Sequence, residues 1–332
     1  MEMKLSILDQ TPAAEGMTAS EALKHTTELA RRAEEWGYHR YWVSEHHDSN
    51  SLAGTSPEIL LAHLAAHTSR IRLGSGGVML PHYSAFKIAE NFHLLEALHP
   101  GRIDAGMGRA PGGMPRATLA LSEGKPRRAE RFPRQIDDLL RYLRFEKIPD
   151  YAYGEAVAGP VTNTIPPVWI LGTSAGSAGL AAEKGLPYNF AHFINAEGGE
   201  EAVETYRKQF QPSEQLKEPW NMVTVFAVCA DTDEEADYIA SSLDLSLLSV
   251  EKGLGLKGTP SPEKASHYPY EEYDLARIRE NRKRMIVGGP GQVKDRLEKF
   301  ASAYQTDELM ICTITFNPED RLRSYELLKN MF

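Results

Sequence analysis

From Lys4 onward, short strand-forming runs alternate with longer runs at helical spacing almost to the end of the chain. That rhythm leaves few folds open, because a strand followed by a helix long enough to cross back over it is the unit of a parallel sheet covered by helices. The first strand-like run, KLSIL at 4–8, is followed by TASEALKHTTELARRAEEWG. There Thr18 or Ser20 can cap a helix whose apolar positions Ala22, Leu23, Ala30 and Ala33 share a face, and Gly37 ends it. Next come YWVS, a helix SPEILLAHLAAHT capped by Ser56 with Pro57 at its first position, and the strand-like IRLGSGGVML. A helix at 85–98 leads into RIDAGMGRA, and after a helix at 131–143 the rhythm resumes with PVWILG, a helix at 175–184, YNFAHF, a helix at 197–210 and MVTVFAVCA. ELMICTITF and a terminal helix from Pro318 complete eight strands, each followed by a helix. This predicts a (β/α)8 TIM barrel occupying 1–332 as one domain, at about 40 residues per unit.

An open doubly wound sheet fits less well, since no GxGxxG follows the first strand. The segment 250–285 breaks the rhythm between the seventh and eighth strands; rich in Gly, Pro, Ser and charge, it reads as an insertion on that connection, either a lid or a bland excursion. A net charge of -9 and a pI near 5.7 give no cationic excess for a general nucleic-acid binder. The one dense basic stretch, KPRRAERFPR at 125–134, reads as a solvated helix face. Cys229 and Cys312 lie in apolar runs and read as buried thiols in a reducing compartment. The first residues show neither a signal peptide nor a membrane span, so a cytoplasmic protein is expected.

In a barrel the site belongs at the carboxyl ends of the strands. Those ends carry Asp9, Glu45-His46-His47, Ser75-Gly76-Gly77, Gly108-Arg109, Gly172-Thr173-Ser174, His192 and Asn317. Adjacent strand residues point to opposite faces, so His46 and His47 are poorly placed to share an ion, and no HExxH or cysteine pair supports a metal centre. LGSGGV at 73–78 can admit a flat ligand or simply pack tightly. Thr173, Ser174 and Ser177, at the start of the helix in ILGTSAGSAGLAAEKG, make a phosphate cradle or ordinary caps, with Arg109 as a cation for the same group. VGGPGQVKDRLEKF at 287–300 is a rival phosphate loop or an ordinary helix start. Met79, Tyr83, Met107 and Phe193 suggest an apolar pocket.

Taken together, LSILDQTP, YHRYWVSEHHDSN, TSRIRLGSGGVMLPHYSAFKIAENFHLLEALHPGRIDAGMGRAPG and PPVWILGTSAGSAGLAAEKGLPYNFAHF resemble the bacterial luciferase-like flavin monooxygenases, in particular their single-chain branch, over nearly the whole chain apart from 250–285. The resemblance implies a barrel that binds FMN at the strand ends. Reduced FMN comes from a separate flavin reductase, and O2 serves to oxygenate a small organic substrate whose identity the sequence does not give. It also implies a homodimer. By position, His46 falls beside the flavin, where it assists proton transfer, and Gly76 and Gly77 fall on a non-proline cis peptide beneath the ring. Arg109, Thr173, Ser174 and Ser177 fall on the phosphate-binding positions, with Arg128 or its neighbour Arg127 as a second cation. His47 is then left to orient the loop or pair with a carboxylate. One departure is Gly108, where the luciferase alpha subunit has a cysteine, which weakens the case for light emission but leaves flavin binding untouched. A deazaflavin-dependent dehydrogenase on the same barrel, or a flavin-binding protein without catalysis, is the alternative.

Overall fold

The computed structural model describes residues 3–147 and 156–332. Along the chain run β1 (Lys4–Asp9), α1 (Ala19–Trp36), β2 (Arg40–Val43), α2 (Pro57–His67), β3 (Arg72–Ser75), β4 (Val78–Met79), α3 (Ala85–Leu98), β5 (Ile103–Gly108), α4 (Pro115–Leu121), α5 (Phe132–Leu143), β6 (Val168–Gly172), α6 (Ala175–Lys184), β7 (Tyr188–Ala191), α7 (Gly199–Gln209), β8 (Asn221–Cys229), α8 (Asp233–Lys252), α9 (Pro262–Ser266), α10 (Glu272–Arg282), β9 (Met285–Gly288), α11 (Pro290–Ala303), β10 (Glu308–Cys312) and α12 (Pro318–Asn330). Every ladder is parallel, and β10 pairs with both β1 and β8, closing β1-β2-β3-β5-β6-β7-β8-β10 into a (β/α)8 barrel. No helix among the described residues is long and apolar enough to cross a membrane.

Strand alternation sorts the side chains into two cores. Leu5, Ile7, Tyr41, Val43, Leu73 and Ile103 face the helices, while Leu8, Trp42, Trp169, Met222, Phe226 and Met310 fill the barrel. At the amino end of the barrel the interior is ionic. Arg40, with no exposed surface, donates from Nε to Glu308 Oε1 (2.6 Å) and from Nη1 to Asp104 Oδ2 (2.7 Å). Its guanidinium also lies 5.1 Å from the Trp169 ring centroid and 5.0 Å from that of Trp220. Ser6 Oγ donates to Glu308 Oε1, and Trp42 Nε1 and Arg72 donate to Asp104. The buried charges are therefore paired and hydrogen-bonded, the condition under which burial of ions is tolerated.

Two features differ from the sequence reading. IRLGSGGVML is not one strand, since β3 stops at Ser75 and pairing resumes at Val78 after Gly76 and Gly77. The 250–285 segment is more regular than its composition suggests. It takes in the end of α8, all of α9 and α10, and opens a strand, β9, that the sequence rhythm misses. β9 continues the edge of β8 that β7 leaves, pairing with Phe226–Cys229 where β7 pairs with Asn221–Thr224. Arg277 and Asn281 bond Glu251, Lys252 bonds Asp274, and Arg282 bonds Asp244, so α10 is tied to α8. The 287–300 stretch is an ordinary helix start, with Gly289 as N-cap and Pro290 at the first position of α11.

Arg40→Ala strands two buried carboxylates and is expected to lower unfolding stability by about 3–5 kcal/mol in urea titrations. Burial alone would raise the Asp104 pKa, but Arg40 and Arg72 hold it below the ordinary 3.8. A carboxylate depressed in the folded state stabilises above its unfolded pKa, so this contribution is lost as pH falls through the lowered value. Acid titration of wild type should show that loss, and Arg40→Ala should shift it upward.

Candidate active site

A cavity of about 350 Å³ opens at the carboxyl ends of β3, β5, β6 and β7. Its bed is glycine. A Cβ on Gly76 would stand 2.5 Å from Leu8 Cδ1, one on Gly77 would strike Leu171 Cδ1 and lie 2.8 Å from Gly106 O, and one on Gly108 would lie 3.0 Å from both Cε and Sδ of Met79. The Gly76–Gly77 peptide is cis. Gly76, Gly77 and Gly108 line the cavity, so bare backbone forms that part of its surface. The walls are apolar, with Leu8, Met79, Leu171, Ala191, Phe193 and Ile194.

One end of the cavity is polar. β6 ends at Gly172, Thr173 leads to Ser174, and Ser174 is the extended N-cap of α6. Ser177 Oγ donates to Ser174 O at 2.7 Å and sits 3.1 Å from Tyr188 OH, so the hydroxyl that faces this end is braced from behind. The first-turn N–H groups of a helix lack intrahelical acceptors and carry the positive end of its dipole, which together favour an anion. Arg109 lines the same cavity. Arg127 folds against the strand end instead, donating from Nη2 to the carbonyls of Arg109 and Ala110. Burial, then the charge of Arg109, holds the Arg127 pKa below its usual value. Arg128 is exposed and does not line the cavity.

The histidine pair divides at the end of β2. His47 Nε2 donates to Glu45 Oε1 at 2.7 Å, and Glu45, itself buried, also accepts from Met79 N (2.9 Å) and Tyr83 OH (2.9 Å). Glu45 thus clamps the chain just beyond the cis peptide to the end of β2. His46 turns elsewhere: Ser44 Oγ lies 3.0 Å from its Nδ1, and its backbone N–H donates to Gly54 O. Its Nε2 has no hydrogen-bond partner among the described residues. Burial, and then the charge of His47, pushes the His46 pKa down to about 4. His46 does not itself line the cavity.

Several strand-end residues point away. Asp9 faces the helix layer, accepting from Thr26 Oγ1 (2.7 Å), Tyr41 OH and Arg321 Nη2 (2.5 Å). His192 is bonded to Tyr304 OH and Lys283 O, and Asn317 caps α12. Met107 belongs to the outer core, and Tyr83 serves Glu45. Met79 and Phe193 do line the cavity, together with Asn189, which the sequence reading passed over. Its signal, an amide on the inward face of a strand buried on both sides, appears only once that face is known. Asn189 exchanges hydrogen bonds with Thr224 at 2.8 and 3.0 Å.

A family model described as luciferase-like monooxygenase matches residues 3–307. The chain is 38% identical over 334 residues to the N-acetyl-S-alkylcysteine monooxygenase of Bacillus subtilis (strain 168), covering 99% of this chain and 98% of the relative. It superposes on the crystal structure of apo-MsnO8 with a TM-score of 0.92 at 38% identity, covering 100% of this chain and 98% of the other. The oxygenating constituent of 3,6-diketocamphane monooxygenase from Pseudomonas putida, solved in complex with FMN, shares the fold at a TM-score of 0.74 and 18% identity, covering 100% and 98%. Barrel, glycine bed and relatives together define a flavin-dependent monooxygenase. The chain belongs to the luciferase-like monooxygenase family.

With its pKa near 4, the His46 imidazole should titrate well below the ordinary 6.5 when followed by NMR. Because the unfolded chain takes up this proton first, the stability His46 confers is complete above pH 6.5 and falls as pH drops towards 4, a dependence that His46→Gln should flatten. Gly77→Ala overpacks the bed and should cost about 1–3 kcal/mol in thermal or urea unfolding.

Proposed function

We propose that the protein is the oxygenase of a two-component system, taking reduced FMN from a separate flavin reductase and using O2 to oxygenate a small organic substrate. The observation that carries this reading is the continuity of a glycine bed, where a ring fits, with a hydroxyl-lined helix start and Arg109, where a phosphate fits. When bound, reduced FMN supplies the electrons that split O2, one atom going to the substrate and the other leaving as water.

The chain's own residues supply the rest. Gly76 and Gly77, which line the cavity, would bed the ring. Thr173, Ser174 and Ser177 with Arg109 would hold the phosphate and Arg127 braces the Arg109 backbone, while exposed Arg128, outside the cavity lining, would have to swing in to act as a second cation. Met79, Leu171, Phe193 and Ile194 exclude water from the reacting centre. His46, neutral at working pH, holds or passes a proton at Nε2. The lid reading of 250–285 rests on its place in the chain, since α10 is tied to α8 and no residue of the segment lines the cavity. A homodimer would cover the exposed Ile59, Leu94 and Leu98 on α2 and α3. Both cysteines are free and buried, in keeping with a cytoplasmic address.

The similarity to an N-acetyl-S-alkylcysteine monooxygenase makes thioethers of that type the first substrates to try. Incubation with reduced FMN, 18O2 and such a thioether should give a product carrying one labelled oxygen. FMN titrations by fluorescence quenching should show saturable binding, weakened about tenfold to a hundredfold in Arg109→Ala, with riboflavin binding unchanged. Oxygen-independent hydride transfer with a reduced deazaflavin, or flavin binding with no labelled product across a substrate panel, would overturn the reading.

A further inference from the structure

Ser44 is the last inward-facing residue at the end of β2, following Arg40 and Trp42 on the barrel side of the strand, and it is 4% exposed. Its backbone N–H is committed to Asp9 O, and its hydroxyl has one partner among the described residues, His46 Nδ1 at 3.0 Å. A neutral imidazole carries its proton on one nitrogen, and the hydrogen bond made by the other decides which. If Nδ1 bore the proton and donated to Ser44 Oγ, the Ser44 hydroxyl hydrogen would be left without an acceptor inside the barrel mouth, an arrangement that burial penalises. With the hydroxyl donating to Nδ1, the hydroxyl hydrogen is used and the imidazole proton sits on Nε2, which is not one of the fully buried polar atoms left without a partner. The neighbouring carboxylate does not compete, because Glu45 is occupied by His47, Met79 N and Tyr83.

We infer that Ser44 is a positioning residue that fixes His46 as the Nε2–H tautomer, so that the free edge of the ring presents a hydrogen-bond donor rather than a base. The low proton affinity of His46 keeps the ring in this neutral form across the physiological range. The role assigned to that donor in oxygenation rests on the function proposed above; the tautomer does not, and it is measurable on the protein without flavin.

The test is a long-range 1H–15N correlation spectrum of protein labelled with 15N-histidine, at neutral pH, with the His46 signals assigned by their loss in His46→Gln. Wild type should show the Nε2–H pattern. Ser44→Ala should move the His46 signals towards a mixture of tautomers, and Ser44→Thr, which keeps the hydroxyl, should restore the wild-type pattern. A wild-type spectrum with the proton on Nδ1 overturns the inference whether or not the variants fold, and an unchanged Nε2–H pattern in folded Ser44→Ala does so equally. If the tautomer behaves as expected but no substrate is oxygenated, the functional proposal fails and the positioning role stands.

Discussion

Arg40 is the constraint on which the barrel is arranged. A guanidinium with no exposed surface must find its full set of partners inside, and it does so by drawing on β5 through Asp104 and on β10 through Glu308, while Ser6 of β1 and Arg72 of β3 complete the same carboxylates. The charge is roofed by indoles, with Trp42 and Trp169 meeting edge to face at 5.3 Å. Two such rings in one small barrel require absent side chains opposite them. Gly74 has no room for a Cβ beside Trp42 Nε1, and Gly106 has none beside Ser75 O. The glycine track on β3 and β5 begins as packing and continues upward to Gly76 and Gly108, where the bulk stops and the cavity begins. The site lies where it does because the floor pushes its volume to the other side.

Above the floor, period-two alternation decides which polar groups reach the cavity. Asp9 and Ser44 end adjacent strands yet serve opposite layers: Asp9 pins α1 and α12 through Thr26 and Arg321, whereas Ser44 addresses His46. The rim then divides its histidines by partner. His47 joins the carboxylate that holds the chain after the glycine bed, and His46 is left with a hydroxyl. A hydroxyl partner in a desolvated place favours the neutral ring.

Much of this was legible in the sequence. The alternation of strand and helix runs is a direct statement of a covered parallel sheet, and the seven connections after the first strands placed Arg109, Thr173, Ser174 and Met79 at one end of it. What the sequence hid has physical causes. β9 is only four residues long and follows a charged helix, so no period could develop before it ended. α10 reads as polar because its order comes from ion pairs to α8 rather than from an apolar stripe. Asp9 stood among the strand-end residues because the end of a strand is known from sequence but its facing is not; one residue of register separates the cavity from the helix layer. Asn189 was passed over because a buried amide announces itself only when the inward face is known. His46 was found by resemblance, and no pattern in the residues alone distinguishes it from His47.

The Arg40 network also sets a timetable. Glu308 accepts from Ser6 and Arg40, and Arg321 reaches Asp9, so the first strand is completed by residues made roughly three hundred positions later. Thr259 bridges to Ala14, so the loop after β1 also waits for the late insertion. Contacts of such long sequence separation form slowly, and a chain emerging from its amino end first carries Arg40 with only Asp104 of its two acids until the last strand arrives. Until then the nascent barrel is an open sheet whose cation still lacks its second acid. The ring of strands closes late in synthesis, after every residue that lines the cavity, from Leu8 to Ile194, has been made.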